Sequence, residues 1–181
     1  MSVALAPDAF ARGAAAQAVQ DTVSVVLPAV TLTRSDGSTV ALQDELDASK
    51  PVLLNFIFTT CTTICPVMSA TFAQLQSALG PEADRVRLVS ISIDPEYDTP
   101  SRLAEYGREH QAGPSWHLLT GRPSDVTAIQ RAFGALAANK MGHAPLTYLR
   151  SAGGTDWVRI NGLVSAQRLL EEYHKITKVA P

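Results

Sequence analysis

Apolar residues change their spacing along this chain, and the change separates strands from helices. The segment VLLNFIF (52–58) is apolar except at Asn55, which is typical of a central strand covered on both faces. A second segment, VRLVSISI (86–93), predicts the second central strand. Between them, apolar residues recur at helical spacing and predict a helix over 66–79 that ends at Gly80-Pro81. The residues on its apolar face are Met68, Phe72, Leu75 and Leu79.

Short strands and helices continue to alternate through the rest of the chain. Thr99 is a helix-capping residue, and Pro100 fits the first helical position that follows it. The segment WHLLT (116–120) predicts a strand, a helix follows from about Pro123, and Ser165 opens the last helix. Two hairpins are predicted, one from VSVV (23–26) and TLTR (31–34) to STVAL (38–42) around Asp36-Gly37, the other from LTYLRS (146–151) and DWVRI (156–160) around Gly153-Gly154. This order predicts an α/β, thioredoxin-like fold with an N-terminal β-hairpin extension.

Length and charge limit the classes of function. With 181 residues, one domain is expected, and we place it at residues 23–181. Residues 1–22 are rich in alanine and are expected to form a flexible lead-in or the remnant of an anchor region. No apolar run reaches the length of a membrane span, roughly 18 residues or more. The net charge of −2 and the lack of a basic block argue against a nucleic-acid partner.

The two cysteines are the strongest chemical feature. Cys61 and Cys65 are the only cysteines, and they lie in FIFTTCTTICPVM (56–68), where a strand meets a helix. Thiols in such a turn can form a disulfide, transfer electrons or bind a soft metal. Residues four apart on a helical turn have Cβ atoms roughly 5–6 Å apart, so both sulfurs could reach one ion. The positive end of the following helix favours thiolates, which metal binding and disulfide exchange both need.

The four histidines are the candidates for a third ligand. His110 ends a predicted helix, His117 lies in a strand and His174 lies on the last helix. His143 differs because it lies in a loop, KMGHAP (140–145), directly before a strand. Its position is compatible with metal binding, although spacing alone favours a bystander. We expect Met141, two residues earlier, to pack against the core rather than act as an auxiliary soft ligand.

Three ordered motifs resemble the Sco (SenC-type) family of copper-binding cytochrome c oxidase assembly proteins. The first contains Cys61, Cys65 and Pro66, and the second is SISIDPEYDTP (90–100). The third is GHAPLTYL (142–149), which contains His143, although Gly142 stands where many relatives have an acidic residue. The resemblance covers roughly residues 25–177.

The resemblance implies a copper-binding metallochaperone or thiol reductant rather than a turnover enzyme. Cys61, Cys65 and His143 would bind copper, as Cu(I) or Cu(II). The expected task is assembly of the CuA site, with cytochrome c oxidase subunit II or another copper-receiving protein as partner. The expected location is the periplasm or an equivalent extracytoplasmic side. Membrane association would come only through a region not present in this chain, as a tether of the full-length form.

Donor chemistry supports copper independently of the resemblance. Thiolates and imidazole are ligands for copper, whereas a structural zinc site needs four protein ligands and only three are identified. The main alternative is a thiol–disulfide oxidoreductase or redox sensor that uses Cys61 and Cys65 as its redox pair. A peroxiredoxin-type peroxidase is weaker, because Phe58 stands where its threonine would be expected.

Two further expectations concern residues around the cysteines. Asp94 and Asp98 are expected to end a strand and open a helix, shaping the loop beside the site without touching metal. Pro145 resembles the proline that starts the strand facing the cysteine pair in thioredoxin-like folds. A cis Ala144–Pro145 bond is therefore expected, against the general preference for trans.

Overall fold

The computed structural model describes residues 18–178, which form one mixed sheet with helices on both faces. The strands are β1 (Val19–Ser24), β2 (Thr31–Arg34), β3 (Thr39–Ala41), β4 (Val52–Ile57), β5 (Arg87–Ser92), β6 (Trp116–Gly121), β7 (Leu146–Arg150) and β8 (Asp156–Asn161). The helices are α1 (Leu42–Glu45), α2 (Ile64–Leu79), α3 (Pro100–Glu109), α4 (Pro123–Ala132) and α5 (Ala166–Lys178). Two 3₁₀ turns cover Gly80–Arg85 and Lys140–Gly142.

The strand order in the sheet is β1-β8-β7-β4-β5-β6-β2-β3. The central strands β4, β5 and β6 run parallel, and the β7–β8 hairpin lies antiparallel beside β4. The carboxyl end of β4 therefore lies at the same edge of the sheet as the start of β7. This topology brings the cysteine turn after β4 next to the loop that precedes β7.

The strand β4 is buried on both faces, as its apolar sequence predicts. Leu53 and Ile57 pack into a cluster with side chains from α2, α3 and α5. Leu54 and Phe56 belong to a second cluster with side chains from α1 and α4. Successive side chains of a strand point to opposite faces of the sheet, so the side chains of β4 join the two clusters in turn. The cysteine turn therefore begins from a strand held on both sides.

Most local predictions are confirmed. The helix α2 buries the four residues predicted for its apolar face, although it begins two residues before the predicted start. Thr99 accepts a hydrogen bond from the backbone N–H of Arg102, and Pro100 is the first residue of α3. The β7–β8 hairpin and the fold class are also confirmed.

The N-terminal part of the fold differs from the prediction. The β2–β3 hairpin forms around Asp36-Gly37, but Val23 lies in β1, which pairs with β8 at the opposite edge of the sheet. The strand β1 begins at Val19 and crosses the predicted boundary between residues 22 and 23. Residues 1–17 of the predicted lead-in lie outside the described residues. Long-range pairing with β8, which local spacing does not report, decides the place of this strand.

The Ala144–Pro145 peptide bond is trans, so the cis expectation is wrong. His143 already has extended backbone angles, φ −67° and ψ 141°. The carbonyl of Pro145 accepts a hydrogen bond from the backbone N–H of Gly162, after β8. The chain thus enters β7 in extended form, and the ordinary preference of X–Pro bonds for trans is met without conflict.

Candidate metal centre

The cysteine turn is stabilised by backbone and side-chain hydrogen bonds. The N–H of Cys61 donates to the carbonyl of Phe58 at 3.1 Å, which closes the turn after β4. The backbone N–H and the hydroxyl of Thr59 both donate to the carboxylate of Asp98. Since α2 begins at Ile64, Cys65 lies in the first turn of the helix. Both sulfurs are therefore carried by backbone with defined hydrogen-bond partners.

Cys61 has the more acidic thiol. Burial alone would raise its pKa, but hydrogen bonds from the backbone N–H groups of Cys65 and Thr63 outweigh burial and lower the pKa to about 7. The N–H of Cys65 lies 3.5 Å from the sulfur of Cys61. These groups are free N–H donors of a helix start, which stabilise negative charge. Cys61 is the thiol that most readily becomes a thiolate.

Cys65 has the opposite character. Its side chain is fully buried, and burial raises the pKa of its thiol far above the ordinary value. The neighbouring Cys61 raises it further, because two thiolates side by side repel each other. Both residues are free thiols in this structure. A bound cation would offset this repulsion, so metal binding would release the proton of Cys65.

His143 follows a 3₁₀ turn, Lys140–Gly142, that is capped by Asn139. The ammonium of Lys140 lies 2.5 Å from the carboxylate of Asp94 and joins this turn to the loop after β5. The imidazole is 6% exposed and meets the ring of Phe58 edge to face. Burial lowers the pKa of His143, which favours the neutral ring with a free lone pair.

The imidazole and the thiols form one cluster. The Nε2 atom of His143 lies 3.4 Å from the sulfur of Cys65, although the residues are 78 positions apart. The donor atoms of Cys61, Cys65 and His143 all lie within 4.8 Å of one another. In a trigonal arrangement, a metal at roughly 2.3 Å from sulfur and roughly 2.0 Å from nitrogen holds its ligands about 4 Å apart. The cluster therefore has the size of a three-ligand metal site.

The surroundings of His143 differ from those of the other histidines. The Nδ1 of His143 is buried and has no hydrogen-bond partner among residues 18–178. His110, the residue after α3, lies against the ring of Tyr106, and His117 in β6 bonds to Glu45 through its Nδ1. Of the histidines, only His143 belongs to the described group with the cysteines.

Asp98 has a larger role than the sequence indicated. It is fully buried and accepts hydrogen bonds from the hydroxyl of Ser92 as well as from Thr59. It thus supports the cysteine turn, whereas Thr99 alone caps α3 through its side chain. One feature of the sequence indicates this role. A helix needs one N-cap side chain, and Thr99 supplies it, so Asp98 beside it is left for another partner.

Met141 contradicts the expectation that it packs against the core. Its side chain is 66% exposed in the turn before His143. The turn is held by the Asn139 cap and by the ion pair of Lys140, and neither contact covers residue 141. The thioether therefore lies on the outside of the loop whose next residues enter the site.

Comparison with known proteins agrees with this geometry. The SCO1/SenC family model matches residues 20–178. The chain belongs to the SCO1/SenC family. A SCO1 protein homolog of Bacillus subtilis is 35% identical over 106 residues, which are 58% of this chain and 54% of the relative. The chain thus spans about half the length of this curated relative.

Solved structures of the same family share the fold. BsSco, described as having a disulfide switch and as a member of the Sco family of cytochrome c oxidase assembly proteins, has a TM-score of 0.73 and 27% identity. That match covers 90% of this chain and 99% of BsSco. Arabidopsis thaliana ScoI with copper bound has a TM-score of 0.70 and 26% identity, and the match covers 83% of this chain and 96% of ScoI.

Proposed function

We propose that this Sco-family chain is a copper chaperone whose ligands are Cys61, Cys65 and His143. The observation that carries the proposal is the convergence of two thiols and one imidazole within 4.8 Å, from two segments of the chain far apart in sequence. Copper as the metal was predicted from the sequence, and the copper-bound relatives and this cluster confirm that prediction.

The donor set suits copper better than the other soft metals. Cu(I) accepts two or three soft ligands, and imidazole also suits Cu(II). Structural zinc sites use four protein ligands, and the described group contains three. An additional acidic ligand is disfavoured, since the carboxylate of Asp98 is already occupied by Thr59 and Ser92. The three residues therefore favour a site from which copper can be passed on.

The client is inferred from the family. BsSco is a member of the Sco family of cytochrome c oxidase assembly proteins. The proposed client is the CuA site of cytochrome c oxidase subunit II, with another copper-receiving protein as the alternative. The proposed location is the periplasm or an equivalent extracytoplasmic side. Residues 18–178 contain no helix with the length and apolarity that crossing a membrane requires.

A second candidate function is thiol–disulfide exchange, which is favoured by the difference between the pKa values of the two thiols. The Cys61 thiolate would attack a client disulfide and form a mixed disulfide, releasing one client thiolate. Cys65 would then lose its proton and attack Cys61, releasing the second client thiolate and leaving a Cys61–Cys65 disulfide. Two electrons pass to the client, and one protein disulfide replaces another. This chemistry prepares client cysteines for copper and does not need His143.

The proposal is tested by titrating the reduced protein with Cu(I) against a chromophoric chelator. We expect one Cu(I) per chain. Cys61→Ser or Cys65→Ser should remove tight binding, because the thiolates supply the soft ligands. His143→Ala should weaken it, whereas the matched control His174→Ala, on α5, should leave it unchanged. Equal Cu(I) affinity in the double Cys→Ser variant would refute the site.

The same variants separate the two functions. Reduction of a disulfide-containing peptide should persist in His143→Ala and disappear in Cys61→Ser. If His143→Ala retains full copper affinity, the imidazole is not a ligand, and thiol–disulfide exchange becomes the better account of the cysteine pair.

A further inference from the structure

The ligand residues of the proposed copper site present little surface to solvent. Cys61, Cys65 and His143 are 5%, 0% and 6% exposed, respectively. Because so little of each ligand is exposed, a copper ion carried by another molecule would enter faster if an intermediate contact held it at the surface. A soft donor at the surface beside the site would provide one.

Met141 is placed to be that donor. Its side chain is 66% exposed, and it is two residues from His143 in the chain. The Cα atoms of Met141 and His143 lie at most roughly 7 Å apart along the backbone. The unbranched methionine side chain can swing its sulfur across a gap of that size. Single exposed apolar side chains are ordinary on protein surfaces, so exposure by itself decides nothing. Met141 is distinguished by its soft sulfur donor together with its position two residues before His143.

The turn that carries Met141 is fixed relative to the site. The side chain of Asn139 accepts a hydrogen bond from the N–H of Gly142 at 3.0 Å, and Lys140 pairs with Asp94. The N–H of His143 donates to the carbonyl of Lys140 at 3.4 Å. Met141 is thus held on a short turn anchored at both of its ends, while its own side chain remains free.

A thioether has the properties that a transfer ligand needs. It is a soft donor that selects Cu(I), and it is neutral, so it binds without losing a proton. It lacks the negative charge of a thiolate and therefore holds Cu(I) more weakly than Cys61 does. The other described methionine, Met68, is 5% exposed in the core and cannot act at the surface.

We propose that Met141 is a transfer ligand, which takes Cu(I) at the surface and passes it to Cys61, Cys65 and His143; this rests on the copper function proposed above. The bond between Cu(I) and the donor molecule breaks as a bond to the Met141 sulfur forms. That bond is then replaced by bonds to the inner ligands, and the thiol protons go to solvent. Copper remains Cu(I) throughout, so no oxidant or reductant is needed.

Transfer kinetics test the proposal with Met141→Leu, which keeps size and apolarity but removes sulfur. With a Cu(I)–glutathione complex as donor, loading should slow by about tenfold or more, the change expected from a barrier raised by one weak interaction. The equilibrium Cu(I) affinity should stay within about twofold, because Met141 is not a resting ligand. The matched control, Met68→Leu, removes a buried thioether and should load at the wild-type rate.

A second measurement observes the sulfur directly. Protein labelled with ¹³C in its methionine methyl groups is titrated with Ag(I), a redox-inert substitute for Cu(I), in the Cys61→Ser/Cys65→Ser variant. The Met141 methyl signal should shift, and the Met68 signal should not. Wild-type loading rates in Met141→Leu, or an unmoved Met141 signal, would overturn the proposal. Failure of the copper site itself appears separately, as lost Cu(I) affinity in wild-type protein.

Discussion

The carboxylate of Asp98 accepts hydrogen bonds from both the backbone N–H and the hydroxyl of Thr59, two residues before Cys61. The same carboxylate accepts a third hydrogen bond from Ser92 at the end of β5. Hydrogen bonds to an ionised acceptor are stronger than those between neutral groups. One buried side chain therefore joins the cysteine turn, the central sheet and the start of α3.

Asp98→Ala should weaken both the fold and the metal site. It leaves the N–H of Thr59 and the hydroxyl of Ser92 without their acceptor, and each unsatisfied buried group costs about 1–3 kcal/mol. We expect the free energy of unfolding to fall by about 3 kcal/mol, measured by urea denaturation. The Cu(I) affinity should also fall, by about tenfold, because the Cys61 turn loses its anchor.

A control for Asp98→Ala is Asp156→Ala. Asp156 also accepts a hydrogen bond from a hydroxyl, that of Ser24, but it does so on the exposed β1–β8 edge. Its removal should change the free energy of unfolding by no more than about 0.5 kcal/mol and leave copper affinity intact. Equal effects of the two substitutions would show that Asp98 has no special connection with the site.

The parts of the fold that sequence predicted well are local. The apolar strand β4, the apolar face of α2 and the Thr99 cap each depend on residues close together in the chain. The strand-to-helix turn at the cysteine pair was also predictable, because such a turn leaves its signature within a few positions, although α2 begins two residues earlier than predicted. His143 could be singled out by its loop position, and the family resemblance then assigned it as a ligand.

The parts that sequence missed depend on distant partners. The pairing of Val19 with Asn161 joins residues from opposite ends of the chain, and no local pattern reports it. The support of Thr59 by Asp98 spans 39 positions. Met141 is exposed in a turn that the Asn139 cap and the Lys140–Asp94 ion pair hold, and these contacts form only once the chain is folded.

Copper binding and the Cys61–Cys65 disulfide should exclude each other. Metal ligation needs thiolates, and a disulfide offers none. Fully oxidised protein should take up no Cu(I) until a reductant is added, and Cu(I)-loaded protein should resist oxidation. Thiol counting and copper analysis on the same sample check both statements. Full copper uptake by protein without free thiols would contradict them.

Acid sensitivity should arise partly from Glu45, whose partners are His117 and Arg34 and none of the proposed copper ligands. Its carboxylate is fully buried and pairs with His117 at 2.5 Å and Arg34 at 2.7 Å. Burial alone would raise the pKa of Glu45, but His117 and Arg34 outweigh it and hold the pKa below its ordinary value. Because folding lowers the pKa of Glu45, its carboxylate stabilises the fold at pH values above the pKa in the unfolded chain, about 4.3. This stabilisation is lost as the pH falls through the lower pKa of the folded protein.

Glu45→Gln should therefore remove part of this pH dependence. At pH 7 the variant should be less stable by about 2–4 kcal/mol, since a buried ion pair loses one partner while Arg34 and His117 keep some solvent contact. Its stability should then decline less than that of wild type as pH falls from about 5 to 3. Thermal unfolding across this range measures both effects. Cu(I) affinity at pH 7 should not change, and a parallel loss would show coupling between the two regions.

The two thiols should differ in reactivity, and the difference should follow pH. The pKa of Cys61 is lowered to about 7 because N–H groups at the start of α2 outweigh the effect of burial, whereas burial raises that of Cys65. The thiolate is the nucleophile, so alkylation of Cys61 by iodoacetamide should rise through a midpoint near pH 7. Cys65→Ser keeps the backbone N–H that donates to Cys61 and should keep this midpoint. In Cys61→Ser, the remaining Cys65 should stay unreactive throughout the neutral range.

Mass spectrometry of the alkylated protein at each pH identifies the modified residue. A Cys61 midpoint near 9, or faster alkylation of Cys65, would show that the helix start does not activate Cys61.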